Sequence, residues 1–243
     1  MKAMVLAAGL GTRLGTLTRN MPKCLMEVGE KTILQYVLGR LVEAGVTSTV
    51  INLYHRGELI EEHLANHPVP GLQINFSREP QLLGTGGALR HARKFLDDGT
   101  PFIVHNSDIY SSIDLKALWN AHTQSNALVT LAVMNRSTTR PLLFDADMNL
   151  RGRENLDRGT AEAFGDTGEL SSFAFTGIQV VSPRIFSFLV DKPDVFDSIG
   201  VYIEAAKAGE RILGHDASGS YWLDMGTPEH LQELRTLLEG NLN

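Results

Sequence analysis

The chain has 243 residues, with 22 Lys and Arg against 28 Asp and Glu, a net charge of −6, and 43% hydrophobic and 21% charged residues. That balance fits a soluble globular protein and excludes fibrous, disordered and disulfide-stapled miniature classes. It also argues against binding to a nucleic-acid polymer, whose affinity comes mainly from clustered Lys and Arg. The charge is unevenly spread, since residues 1–26 hold Lys2, Arg13, Arg19 and Lys23 and no carboxylate. A local anion site on an acidic protein is the first implication.

In chain order, Ala3–Ala7 reads as a buried strand turning into a glycine loop. It does not read as a secretion signal, because the apolar run is short and Arg13 follows at once. Cys24 is the single cysteine. It excludes an intrachain disulfide, fits a reducing, cytoplasmic compartment and reads as a small packing residue. A helical stripe over Ile33–Ala44 places Leu34, Val37, Leu38 and Leu41 on one face. A strand at Thr49–Leu53, a helix at Arg56–Ala65, a strand at Leu72–Phe76 and a helix at Gly86–Phe95 come next. They are followed by a strand at Phe102–His105, a helix at Asp114–His122 capped from Ser111, Ser112 and Asp114, and a strand at Leu128–Val133. This alternation predicts an α/β, Rossmann-like doubly wound fold with a mostly parallel mixed sheet, whose ligands lie at the carboxyl ends of the strands.

After Arg136 the pattern changes. Leu142–Phe144 and Leu150–Arg153 flank the polar turn 145–149, Ser172–Val181 makes a long strand, and Pro183 starts a helix. Short strands at Ile212–His215 and Tyr221–Leu223 precede a helix from Pro228. Its stripe of Leu231, Leu234, Leu237 and Leu238 suits either a core or a homo-oligomer interface. The segment Glu154–Glu169 has no period and reads as a mobile loop. With no internal repeat and no membrane-length apolar run, a single domain with halves at 1–135 and 136–243 is the economical organisation.

The loop Leu6-Ala-Ala-Gly-Leu-Gly-Thr-Arg13 directly follows the first strand. Small residues let backbone N–H groups approach an anion closely. A dinucleotide fingerprint fails here because Leu14 stands where its third glycine belongs, and no Walker A string occurs. What distinguishes this loop is Arg13 within it and Pro22-Lys23 shortly after.

Taken with Leu83-Gly-Thr-Gly-Gly-Ala88, Asn106-Ser-Asp108 and Trp222-Leu-Asp-Met-Gly-Thr227, in this order along nearly the whole chain, the sequence resembles the sugar-1-phosphate nucleotidyltransferases. By length it is similar to short, single-domain members such as N-acetylmuramate-1-phosphate uridylyltransferases and mannose-1-phosphate guanylyltransferases. The resemblance implies transfer of a nucleotidyl group from an NTP to a sugar 1-phosphate, with the nucleotide held by residues 1–135 and the sugar phosphate by 136–243; a glycosyltransferase of related fold that uses an NDP-sugar donor and a non-catalytic nucleotide-sugar sensor are the competing readings.

The same resemblance assigns charge stabilisation to Arg13 and Lys23, Mg²⁺ ligation to Asp108 and Asp224, and nucleotide contacts to Leu6, Ala8, Gly9, Gly11, Thr12, Glu79, Gly84 and Thr85. Asn106, Thr176 and Gly177 take the sugar contacts. Two carboxylates with phosphate oxygens and waters suit the octahedral, oxygen-rich shell of Mg²⁺. Uridylyl and thymidylyl members often carry Gln where Glu79 stands. A carboxylate only accepts hydrogen bonds, which favours the N1–H and 2-amino group of guanine and hence GTP over UTP. The chain departs from the family at Ser107, where glycine is usual, and lacks the Glu-Lys-Pro of many members.

Two further patterns read as structural. Asp145-Ala-Asp147 lies in a hairpin turn, where Asp favours local bonding, and His63 and His67 have metal-pair spacing with no third ligand.

Overall fold

A computed structural model describes residues 1–9, 11, 21–165 and 168–240. The first strand, β1 (Lys2–Leu6), is followed in the described chain by a 3₁₀ turn at Lys23–Leu25, β2 (Glu27–Val28), β3 (Lys31–Thr32) and α1 (Ile33–Glu43). Next come β4 (Ser48–Leu53), α2 (Gly57–Asn66), β5 (Gln73–Arg78), α3 (Gly84–His91), α4 (Arg93–Leu96) and β6 (Phe102–Asn106). They lead to β7 (Ile109–Ser111), α5 (Leu115–Ser125), β8 (Val129–Met134), β9 (Leu142–Phe144) and β10 (Leu150–Asn155). The chain continues through β11 (Thr160–Ala163), β12 (Ser171–Val181), α6 (Ser198–Lys207), β13 (Ile212–Asp216), β14 (Trp222–Asp224) and α7 (Pro228–Gly240). The expected α/β class, built on a mixed sheet with helices, is the class found.

Contacts divide the chain into two compact units. The first holds Met1–Leu82, His105–Ile113 and Tyr221–Asn243, and the second holds Leu83–Val104 and Asp114–Ser220.

In the first unit β1, β4 and β5 run parallel, with Met4 opposite Val50 and Val50 opposite Asn75. Five of the six residues of β4 are buried, as expected of a parallel strand covered on both faces. The stripe foreseen for α1 is buried as Ile33, Leu34, Val37, Leu38 and Leu41, and Thr32 with Gln35 closes a capping box at its start. A short antiparallel ladder sets Asp224 opposite Ile109 and Trp222 opposite Ser111. Leu231 and Leu234 of α7 join Met26, Val28, Ile33, Leu223 and Met225 in one buried cluster, with Leu237 and Leu238 packed at its edge. The apolar stripe of the last helix is therefore core at its first two leucines.

In the second unit β8 is wholly buried, antiparallel to β12 and parallel to β13. β9 pairs with both β12 and β10. The pairing of β10 with β11, Gly152 opposite Ala163 and Asn155 opposite Thr160, corrects the expectation of a mobile loop at Glu154–Glu169. A side chain at Gly152 would overlap the Glu162 carbonyl, so the absent Cβ permits this close approach. Glu162 in turn forms ion pairs with Lys207 and Arg153. The helix expected over Gly86–Phe95 is broken at Ala92 into α3 and α4, and the segment after Pro183 is 3₁₀ rather than α. In β12, Phe175 faces Val133 but Gln179 faces Leu131, so the chain bulges at Thr176-Gly177, where Gly177 takes a φ of +81°.

Candidate functional site

The glycine loop begins where β1 ends. Leu6 accepts a 3.0 Å hydrogen bond from the Ser107 N–H through its carbonyl. The Ala7 N–H donates to Asn52 Oδ1 at 2.7 Å. Ala7 and Ala8 are buried, Gly9 is exposed with open space where a Cβ would be, and Gly11 has a φ of +63° that only glycine takes readily. Thr12 and Arg13 lie outside the described residues.

Lys23 opens the 3₁₀ turn after Pro22, whose backbone is extended at φ −54° and ψ 137°. Its ammonium forms an ion pair with Asp108 Oδ2, with only 10% of the Lys23 side chain and 27% of the Asp108 side chain exposed. Asp108 is joined to the ladder of β7 and β14 by its carbonyl, which accepts from the Met225 N–H at 2.8 Å. The ladder pairs Asp224 with Ile109, the residue after Asp108, so two segments 116 positions apart in sequence meet here. Asp224 Oδ1 accepts from the Gly226 N–H at 2.9 Å, and His230 Nδ1 lies 3.0 Å from the same oxygen and 2.8 Å from the Asp224 carbonyl. Both partners are acceptors, so Nδ1 carries the hydrogen and the imidazole orients the carboxylate. The two carboxylates are hard oxygen donors, Asp224 at the end of β14 and Asp108 in the turn just before β7, and no group of three or more His, Cys, Asp or Glu that could hold a metal occurs among the described residues. Such a pair fits Mg²⁺, which commonly takes one or two carboxylates and completes its shell with phosphate and water oxygens.

Ser107 needs no glycine-only backbone, since Arg56, Asn126 and Met148 are the non-glycine residues with positive φ among those described. Its side chain neighbours the Cys24 thiol. Burial pushes that thiol up to about 12, and the Ser107 side chain offsets the rise only in part, so Cys24 is a packing residue. Next to Asn106, burial lowers the His105 imidazole to about 4, with its Nδ1 2.7 Å from the Asn106 carbonyl.

Glu79 is buried at 7% exposure, and its N–H donates to the Leu53 carbonyl at 2.8 Å. Its Oε1 accepts from Asn52 Nδ2 at 2.6 Å, so one amide connects the base of the glycine loop to the loop after β5. Sequence reasoning missed Asn52, His105 and His230. The available signal at Asn52 was a lone amide within the apolar run Thr49–Leu53.

The remaining expected residues belong to the second unit. A Cβ on Gly84 would lie 2.5 Å from the Phe196 carbonyl oxygen, one on Gly86 would overlap the Phe196 ring, and one on Gly87 would lie 2.7 Å from the Asp194 carbonyl oxygen. The motif is thus packed against residues 194–197. Thr85 Oγ1 accepts from the Ser198 N–H at 2.9 Å and donates to Ser198 Oγ at 3.1 Å. Thr176 is buried and its hydroxyl donates to the Ala132 carbonyl at 2.8 Å.

The family model described as Nucleotidyl transferase matches residues 2–240. The chain belongs to the nucleotidyl transferase family. This transferase is 32% identical over 237 residues to the N-acetylmuramate alpha-1-phosphate uridylyltransferase of Caulobacter vibrioides, covering 93% of this chain and 92% of that protein. It is 30% identical over 231 residues to the mannose-1-phosphate guanyltransferase of Yarrowia lipolytica, and that match covers 94% of this chain but 61% of the Yarrowia protein. In fold it is similar to HddC from Yersinia pseudotuberculosis, solved in complex with GMP-PN, at a TM-score of 0.75, 21% identity and coverage of 98% and 99% of the two chains. The UDP-glucose pyrophosphorylase of Acinetobacter baumanii aligns at a TM-score of 0.77 with 18% identity, covering 97% of this chain and 92% of that one.

The two decoy patterns have local roles in the transferase. Asp145 Oδ1 accepts from the Asp147 and Asn149 N–H groups at 3.0 and 2.8 Å, and Oδ2 accepts from Arg151 Nε at 2.7 Å. Burial raises the Asp145 carboxyl, but these hydrogen bonds outweigh it and hold the group below its usual range. The His63 ring stacks on His67 at 4.6 Å, and its Nε2 lies 3.3 Å from Thr32 Oγ1. No helix among the described residues is long and apolar enough to cross a membrane.

Proposed function

We propose that the protein transfers the nucleotidyl group of an NTP to a sugar 1-phosphate, releasing pyrophosphate and forming an NDP-sugar. The observation that supports this reading is the ion pair of Lys23 with Asp108, in a segment whose backbone accepts from Met225, the residue after Asp224. An oxygen of the sugar phosphate bonds the α-phosphorus, and the bond from that phosphorus to the bridging oxygen breaks, its electron pair leaving with pyrophosphate. The attacking oxygen is already anionic, so no protein nucleophile or general base is needed. The protein's task is to bring polyanions together and to stabilise charge on the leaving group.

Lys23 supplies a fixed positive charge at the reacting phosphates, and Arg13 a planar donor set for the triphosphate. Asp108 and Asp224 would hold Mg²⁺, which when bound neutralises phosphate charge. His230 keeps the Asp224 carboxylate turned. The nucleotide contacts fall on Leu6, Ala8, Gly9, Gly11, Thr12, Glu79, Gly84 and Thr85, and the sugar contacts on Asn106, Thr176 and Gly177. Glu79 presents an acceptor, which favours guanine, so GTP is the proposed donor ahead of UTP. Residues 1–135 form the nucleotide half and 136–243 the sugar-phosphate half of one transferase domain working in the cytoplasm.

The test is pyrophosphate release from the purified protein with each NTP crossed against a panel of sugar 1-phosphates, with and without Mg²⁺. Release from at least one pair, dependent on Mg²⁺, is expected. Silence across the whole panel overturns the proposal.

A further inference from the structure

We infer that Asn52 is the positioning residue that decides which hydrogen-bonding group the side chain at 79 offers to the base. The inference rests on the reading of Glu79 as a base contact and adds to it the device that fixes its polarity.

The argument starts from a group that has no choice. The Ala7 backbone N–H can only donate, so the Asn52 atom 2.7 Å away is the oxygen. The Asn52 nitrogen then points the other way, where Glu79 Oε1 accepts from it at 2.6 Å. Asn52 is 3% exposed, Glu79 7% and Ala7 7%, so a wrong pairing would set like groups face to face with little water to separate them. Because Ala7 directly follows the last residue of β1 and Asn52 lies within β4, the two are held by the parallel pairing of those strands, in which Leu6 faces Asn52. The amide is a rigid polarity relay from main chain to side chain.

The consequence concerns what can stand at position 79. A Glu satisfies Asn52 with one carboxylate oxygen and carries the same acceptor chemistry on the other. A Gln must give its carbonyl to the Asn52 nitrogen, which turns its NH₂ outward. The outcome of Glu79→Gln is therefore dictated by Asn52. An outward donor opposes the N1–H and 2-amino group of guanine and suits the carbonyl groups of uracil.

Reversing the relay should reverse the result. Asn52→Asp still accepts from Ala7 but presents a second carboxylate oxygen to position 79. Against Glu79 that is a like-charge clash. Against a Gln at 79 it is a good acceptor for the NH₂, leaving the Gln carbonyl outward as in the native arrangement.

The experiment measures kcat/KM for GTP and UTP in E79Q, N52D and N52D/E79Q, with folding checked by circular dichroism. E79Q is expected to lower the GTP/UTP ratio about tenfold or more, mainly through KM. N52D should raise KM for both nucleotides, and N52D/E79Q should return the ratio to within about threefold of the native value, a sign pattern that mere loosening of the fold does not produce. N52A/E79Q, in which the Gln amide can turn either way, should lie between E79Q and the native protein and serves if N52D variants do not fold. A ratio shifted in E79Q and equally shifted in N52D/E79Q overturns the relay while leaving Glu79 as a base contact. An unchanged ratio in E79Q removes Glu79 from base recognition, and the relay's consequence falls with it.

Discussion

The ion pair between Lys23 and Asp108 makes an unequal prediction for its two halves. At an effective dielectric of about 20, unit charges about 3 Å apart attract by about 5–6 kcal/mol, much of which desolvation cancels. What differs is the partner left behind. Asp108→Asn strands an ammonium whose side chain is 10% exposed, whereas Lys23→Met strands a carboxylate that is 27% exposed and reachable by water. Losing one partner of a fully buried pair costs about 3–5 kcal/mol. Scaled for this partial exposure, D108N should cost about 2–3 kcal/mol and K23M about 1 kcal/mol. The double variant K23M/D108N strands no charge and should be more stable than D108N alone. Urea unfolding midpoints at constant slope give these values. Turnover should fall about 100-fold or more in each single variant, because a group that stabilises transition-state charge contributes about 3 kcal/mol. D108N as stable as the native protein, or a double variant less stable than either single one, would refute the reasoning.

Three other outcomes follow from the geometry. Asp224→Asn keeps Oδ1 as an acceptor for the Gly226 N–H and His230, so it should unfold within about 0.5 kcal/mol of the native protein yet lose at least about 100-fold in pyrophosphate release; native turnover would remove Asp224 from the proposed metal pair. Leu234→Ala, at a side chain with no exposure, should cost about 2–5 kcal/mol in chemical denaturation, and a cost below about 1 kcal/mol would mean that α7 does not pack as described. Burial lowers His105 and His122 from 6.5 to about 4. Both are neutral in the folded and unfolded chains above about pH 6.5; as pH falls toward 4 the unfolded chain takes up protons that the folded one refuses, and stability is lost. At about 1.36 kcal/mol per unit, each histidine removes up to about 3 kcal/mol by pH 4. His122→Gln should flatten the decline of unfolding midpoint between pH 7 and pH 4.5, and an unaltered slope would contradict the assignment.

Parallel strands and motif residues were legible in the sequence because each leaves a local mark. The apolar run of β4 and the stripe of α1 announce burial on both faces or on one. Helix α6 leaves no such mark, since Val201, Tyr202 and Ile203 are all buried and produce no stripe. Strand β11 has no alternation because its residues are mostly exposed, and backbone pairing with β10 and the ion pairs of Glu162 hold it. At the site, Lys23, Asp108 and Asp224 stood out by motif. Asn52 and His230 did not, because their importance lies in whom they touch across 45 and 6 positions of chain. Gly86 and Gly87 show the converse error available to a motif reader, since their missing side chains make room for the segment around Phe196.

The antiparallel ladder between β7 and β14 also sets a timetable. Asp224 is made 116 residues after Asp108. During synthesis the carboxylate pair cannot form until the strand bearing Asp224 has left the ribosome. The core around Met26 and Val28 must likewise wait for Leu231 and Leu234 of α7. A nascent or prematurely terminated chain therefore carries Lys23 and Asp108 without Asp224, able to make the ion pair but lacking the second carboxylate. Emergence of β14 is therefore the step that completes the proposed metal pair.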